Sequence, residues 1–317
     1  MTATQQLVVR FLNVGQGDAT HIIFSNGEHM LIDTNLDAKN RGIDVIAYLA
    51  DELPKGSSGK KKLDYLVITH PHTDHIRGVG QIGNQFEIGK MWHSGHELDC
   101  EEGENEPYDK YLAVIKDLGD DAVKVCAGSD VWATIGDATV HIFRPSAYVK
   151  NTRDQSASEK REAIHNECMV LKITYKGIAI MFAGDSHKRA WESIVKHYDT
   201  KDLKSFALHA SHHGSRTFFK TKKVDDKAWT GHLDAIDPEY IVVSVGGDNE
   251  HDHPHDDMMK EYNARVTAAN VYRNDSDLTV VLTIKSDGST TWSHGDEEFQ
   301  KKYELRSDEK DEGRSGG

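Results

Sequence analysis

The stretch VITHPHTDHIRG (Val67–Gly78) packs His70, His72, Asp74 and His75 into six residues. The apolar LDYLVI (Leu63–Ile68) just before it has the length and composition of a buried strand. The polar cluster therefore sits where a strand is predicted to end. In an extended segment alternate side chains share a face. His70, His72 and Asp74 are then expected to project together, with His75 facing another way, which suits two neighbouring ions better than one. Imidazole and carboxylate are the donors expected for Zn²⁺ or Mn²⁺. The plain alternative is surface histidine in a chain that holds 19 of them. Placement beyond a strand, with further Asp and His loops downstream, favours metal.

The composition bounds what such a site can belong to. With 317 residues, the chain is long enough for one large domain or two small ones. Hydrophobic residues make up 37% and charged residues 28%, a globular balance. No apolar run approaches the roughly 20 residues of a membrane helix. MTATQQLVVRFLNV (Met1–Val14) has neither the basic nor the apolar region of a secretory signal. The three cysteines, Cys100, Cys126 and Cys168, form no CxxC pair, so a reducing cytosol is the expected compartment. A net charge of −14 excludes a broadly basic surface that coats nucleic acid. It leaves room for a local basic cleft, because bound cations also face phosphates.

Along the chain, LVVRFLNV (Leu7–Val14), ATHIIFS and HMLIDT (His29–Thr34) alternate with GQGD (Gly15–Asp18) and NGE, the pattern of a β-meander. Apolar spacing predicts a helix over Arg41–Leu53. Residues 95–121 read as a surface loop and helix, and 151–163 as a polar loop. Cys168–Asp185 reads as a hairpin turned at Lys176-Gly177. Helices are expected at HKRAWESIVKHY and DDMMKEYNARV, and strands at KSFALHAS, Tyr240–Gly246, NVYRND, LTVVLTIKSDG and TTWSHG. From Tyr303 the tail is charged and its composition is that of a disordered segment. Residues 1–302 are thus one α/β sandwich domain, followed by the tail 303–317.

Four predicted strands end in loops rich in His or Asp: LVITH at His70, IAIMFAGD at Asp185, FALHAS at His212-His213, and IVVSVGGDNEHDHPH at His255. In open sheets ligand sites collect beyond the carboxyl ends of strands, so these loops are expected to converge. Asp185 is placed to bridge two ions, and a water held between ions about 3.5–4 Å apart is a strong nucleophile for hydrolysis. Asp33 in LIDT is expected to orient a ligand by hydrogen bonding. Gly15 and Gly17 permit close backbone approach, with Asp18 supporting the metal loop. In RTFFKTKK (Arg216–Lys223), Arg216, Lys220, Lys222 and Lys223 flank Phe218 and Phe219, a mixture suited to phosphates and stacked bases. Cys168 reads as a small core residue, and the acidic cluster at 97–106 as solvated surface.

These motifs carry a family resemblance. HPHTDHIRG resembles the HxHxDH motif of the metallo-β-lactamase fold, a four-layer αβ/βα sandwich. NVGQGDATHIIF, MLIDT, HNECMVLKITYKGIAIMFAGD, SHHGS and SVGGDNEHDHPH resemble, in order from residue 7 to about 295, the ComEC/Rec2-like competence branch. That branch also has membrane channel segments, for which this chain has no counterpart, so only the hydrolase module is implied. The resemblance implies two divalent ions, Zn or Mn. His70 and His72 would hold the first and Asp74 and His75 the second. Asp185 would bridge, and one of His212 and His213, with His212 favoured, would complete the second site. Many enzymes of the fold supply a third histidine to the first ion. Here His165 and Asn166 occupy the corresponding stretch. His253 and His255 would face the site, binding phosphate or acting as a general acid, and Asp74 would take part in catalysis.

The expected function is a metal-dependent phosphodiesterase or nuclease acting on nucleic acid, DNA first, in the cytoplasm and without a membrane. A small-molecule hydrolase of the same fold, acting on a cyclic nucleotide, a phosphocholine ester or a lactone, is the enzymatic alternative. A metal-binding module that serves a protein partner is the non-enzymatic one; the intact HxHxDH, Asp185 and SHHGS argue against it.

Overall fold

Each sheet of this protein is half antiparallel and half parallel, and the parallel halves carry the site. A computed structural model describes residues 5–38, 41–125, 131–143, 157–221 and 227–305. The strands are β1 Gln6–Phe11, β2 Thr20–Ile23, β3 His29–Ile32, β4 Lys62–Ile68, β5 Glu87–His93, β6 Ala122–Lys124, β7 Val131–Ile135, β8 Ala138–Phe143, β9 Val170–Tyr175, β10 Ile178–Phe182, β11 Ala207–His209, β12 Tyr240–Val243, β13 Val271–Arg273, β14 Val280–Lys285 and β15 Thr290–Ser293. One sheet runs β15-β14-β1-β2-β3-β4-β5-β6, and is parallel from β3 onward. The other runs β13-β12-β11-β10-β9-β8-β7, and is parallel from β13 to β10.

Side-chain alternation explains why the sheets stack. In β10, Ile180 and Phe182 point into the core between the sheets, where they meet Val9 and Phe11 of β1 and Leu282 of β14. Met181, one residue out of phase, points to the opposite face with Leu208 and Ile241. There Trp191 and Ile194 of the helix Lys188–His197, and Met258 and Tyr262 of the helix Asp256–Arg265, cover it. On the far side of the first sheet, Leu31, Leu66 and Ile68 pack under Val45 and Leu49 of the helix Val45–Glu52 and under Tyr108 and Tyr111 of the helix Glu106–Leu118. Four layers result, helices outside and two mixed sheets within, as the sequence predicts.

Three local readings change. The first predicted helix starts only at Val45, where Asp44 caps it by accepting from the Ile46 and Ala47 amides. Part of the predicted polar loop is the helix Ala157–Asn166, whose last turn buries Ala163 and Ile164; residues 151–156 lie outside the described residues. Tyr303, placed at the head of the charged tail, ends the helix Glu297–Tyr303, and its buried ring packs edge-on against Tyr48. Residues 306–317 of that tail lie outside the described residues.

Candidate metal centre

The site assembles from turns that leave the parallel strands of both sheets. β4 delivers His70 and His72 in extended backbone. The chain then coils into the short helix Thr73–Ile76, with His72 at its N-cap. This corrects the expectation that His70, His72 and Asp74 project together. The helical turn swings Asp74 to the side of His75 instead. After β10, Gly184 adopts a left-handed φ of 48°, and a Cβ there would lie 2.6 Å from Cys168 Sγ. Only glycine accepts both constraints, and the turn presents Asp185, 2% exposed. After β11, His212 and His213 both take left-handed φ values, 51° and 53°, a costly conformation for such residues.

Two donor groups share Asp185. The first comprises His70, His72, His165 and Asp185, with ligand atoms within 4.8 Å of one another. His70 Nε2 is 3.0 Å from His72 Nδ1 and 3.6 Å from Asp185 Oδ2, and His165 Nε2 is 4.0 Å from the same oxygen. The second comprises Asp74, His75, Asp185 and His213. His75 Nε2 is 3.2 Å and His213 Nε2 3.8 Å from Asp185 Oδ1, and His213 Nε2 is 3.2 Å from Asp74 Oδ2. Each Asp185 oxygen therefore faces a different group. The preference for His212 in the second group is corrected to His213. Its Nδ1 lies 2.9 Å from the Ser244 carbonyl, a fit for N–H donation that aims Nε2 at Asp74. His212 instead sends Nε2 to within 3.5 Å of Asp185 Oδ2, on the side of the first group.

The supporting contacts are those that orient metal-binding imidazoles elsewhere. Asp33 Oδ2 lies 2.8 Å from His75 Nδ1, and the carboxylate also accepts from the Thr69 amide at 2.7 Å and hydroxyl at 2.6 Å. Asp18 donates its amide to the Asp74 carbonyl at 3.2 Å. Gly17 packs so closely that a Cβ would stand 2.5 Å from that carbonyl oxygen. Asp18 Oδ1 lies 3.7 Å from both His209 Nε2 and His213 Nδ1. Cys168 is fully buried, and burial pushes its thiol well up, so it is a neutral spacer beside His70.

Whether these residues fit metal ions can be tested on their own polar atoms. His75 Nε2 and Asp185 Oδ1 are buried and make no hydrogen bond, although buried polar atoms almost always do. Their donor types match a Zn²⁺ or Mn²⁺ site, so the residues fit.

The electrostatics without ions are opposed. Burial lowers His70 and His165 well below the ordinary value, and neighbouring imidazoles lower them further. Burial would lower His75 and His213 too. The surrounding carboxylates together outweigh it, Asp185 with Asp74 and Asp33 at His75, and Asp185 with Asp74 and Asp18 at His213. His75 is raised well above the ordinary value and His213 to about 9. Burial pushes the Asp74 and Asp185 carboxyls up, but the neighbouring histidines hold both below the usual carboxylate range.

The sign of the pH dependence follows. A histidine depressed by folding takes up its proton only in the unfolded chain, so stability falls as pH drops below about 6.5. A raised histidine contributes stability that is lost as pH rises through its folded value, about 9 for His213. The raised-histidine contribution is complete only below about pH 6.5, so in excess chelator the thermal midpoint should be highest near pH 6.5 and fall on either side, the alkaline fall continuing to about pH 9. A midpoint that still climbs below pH 6 would count against these assignments.

The rim differs more from expectation. His253 lies with its ring 5.5 Å from that of His212; burial and the neighbouring histidines lower it to about 3, and its buried Nδ1 has no partner. His255 is further out and accepts from the Arg216 amide at 3.3 Å. Neither histidine joins a donor group. Arg216 and Lys220 both reach Asp257, at 2.9 and 3.3 Å. Lys222 and Lys223 lie outside the described residues. Phe218 and Phe219, expected to stack on bases, are fully buried against Trp191, His232 and Tyr262. The tight turn Arg216–Phe218 tucks them under the outer helices. Asn166 is nine-tenths buried beside His165, and its Oδ1 has no partner. Sequence reasoning missed Thr69, which acts through its amide and hydroxyl, Ser244, which acts through its carbonyl, and His187. His187 stands two residues after Asp185, and that spacing was a readable signal.

Residues 12–152 match the model of the metallo-beta-lactamase superfamily. The chain is 25% identical over 234 residues to ComE operon protein 3 of Bacillus subtilis, covering 73% of this chain and 26% of that protein. It is 26% identical over 250 residues to competence protein ComA of Neisseria gonorrhoeae, covering 78% and 28%. It therefore spans about a quarter of the length of these curated relatives. Among solved structures, the metallo-beta-lactamase fold protein YhfI from Bacillus subtilis is similar at 12% identity and a TM-score of 0.47, over 91% of this chain and all of that one. Among the described residues no helix is long and apolar enough to cross a membrane.

Proposed function

We propose that this chain, which carries a metallo-β-lactamase fold domain, is a metal-dependent hydrolase that cleaves phosphodiesters, nucleic acid first among them. The observation that carries the reading is Asp185, with one oxygen toward each of two imidazole-rich groups. When bound there, a pair of divalent ions supplies an activated water and Lewis-acid stabilisation of the attacking and leaving oxygens. His70, His72 and His165 would hold one ion, with Asn166 in reserve; Asp74, His75 and His213 would hold the other. Asp33 and Asp18 fix the second group from behind. His253, neutral near pH 7, has a ring nitrogen to offer a phosphate oxygen. His255 stands at the mouth for a proton to the leaving group.

Arg216, Lys220, Lys222 and Lys223 would hold the phosphate backbone, and the similarity to a competence protein favours DNA as its source. The cytosol is the proposed location. The pairing of Arg216 and Lys220 with Asp257 favours the second reading, a small phosphodiester, since a long polyanion would first have to displace that carboxylate.

A panel of plasmid, single-stranded DNA, RNA and bis-p-nitrophenyl phosphate, run with Mn²⁺ and with Zn²⁺, tests the proposal. Hydrolysis of none of them by metal-loaded protein would refute it. The two readings separate on the loop. Changing all four cations to alanine should weaken DNA binding and flatten its salt dependence, by about one unit of slope per lost phosphate contact. Turnover of the small ester should survive. If the variant cleaves DNA like the parent at every salt concentration, the loop does not hold DNA.

A further inference from the structure

A third cluster of imidazoles stands beside the two groups. His165 lies in the last turn of the helix Ala157–Asn166, His187 precedes the helix Lys188–His197, and His212 occupies the left-handed turn after β11. Their ligand nitrogens all lie within 4.8 Å of one another. His187 Nε2 is 3.1 Å from His212 Nδ1, close to the 3.0 Å between His70 Nε2 and His72 Nδ1 in the first group. The His165 and His187 ring centroids are 4.3 Å apart and those of His165 and His212 4.8 Å. Asp185 Oδ2 borders the cluster, 3.5 Å from His212 Nε2 and 4.0 Å from His165 Nε2.

We infer that His165, His187 and His212 form a third cation site, adjoining the first and selective for Zn²⁺ over Mn²⁺. An all-imidazole donor set binds Zn²⁺ well, whereas Mn²⁺ favours carboxylate and water oxygen. Three protein ligands leave a tetrahedral ion one open position, which a substrate phosphate oxygen can fill. His165 is common to this cluster and the first group. An imidazole has two ring nitrogens, and the adjacent Asn166, with its unpartnered Oδ1, is a replacement donor for the first ion. The competing use of the cluster is a hydrogen-bonded stack with no ion, in which Thr217 Oγ1 holds His212 Nδ1 at 2.9 Å.

Native mass spectrometry of the full chain, titrated with Zn²⁺ or with Mn²⁺, separates the two. The expected result is three Zn²⁺ but two Mn²⁺ per chain, and two of either in His187→Phe. Equal Zn²⁺ counts in parent and variant would overturn the third site. Fewer than two Mn²⁺ in the parent would instead count against the dinuclear reading, without touching the zinc difference. Should His187→Phe fold poorly, anomalous scattering at the zinc edge from crystals of the parent decides. A peak among the three imidazoles supports the site, and its absence at saturating zinc overturns it.

Discussion

Replacing Asp185 with alanine should remove ions from both groups and abolish phosphodiester hydrolysis. Its two oxygens face different groups, so one substitution takes a ligand from each. Loss of a group that merely orients a ligand costs about 10–100-fold in affinity or activity. Loss of a shared ligand should cost more, so turnover is expected to fall by more than about 10²-fold. Elemental analysis after gel filtration checks the metal, and bis-p-nitrophenyl phosphate the turnover. Asp185→Asn is the companion variant, because it keeps the shape and removes the charge. Full metal content in both variants would rule out a bridging role.

Asp33 should have the second largest effect, without touching an ion itself. Its carboxylate fixes the His75 ring through Nδ1 and the strand end through Thr69. Zinc affinity in Asp33→Asn should fall about 10–100-fold, measured by competition with a chromophoric chelator. Asparagine is the informative choice because Asp33 has a φ of 55°, which asparagine tolerates better than alanine does. Asp33→Ala adds backbone strain and leaves the buried Thr69 amide without its acceptor, so it should also lower the thermal midpoint. An unchanged zinc affinity in Asp33→Asn would show that His75 needs no orienting partner.

The legible parts of the site were those set by strand periodicity. His70 and His72 could be read from the alternation at the end of β4, and Asp185 from its place after β10. The division of Asp74 and His75 from them could be carried over only by resemblance, since the helical turn at Thr73 has no strong sequence mark. His212 and His213 could not be told apart. Both sit at positive φ, where neither strand nor helix periodicity predicts direction. Phe218 and Phe219 were misread because a run of cations suggested exposure. The chain there makes one tight turn, and the aromatic rings face inward while Arg216 stays out. The helix Ala157–Asn166 was hidden by the polar run ahead of Ala163 and Ile164.

The donors come from both sheets: His70, His72, Asp74 and His75 follow β4, whereas Asp185 and His213 follow β10 and β11. Ions bound between them would rivet one half of the chain to the other across the sandwich. Anything that binds only the folded state stabilises it by mass action, by about 2.7 kcal/mol at a free concentration one hundred times its dissociation constant. The sheets could then separate only after the ions had left, so metal supply would govern how long a molecule escapes proteolysis as well as how fast it turns over.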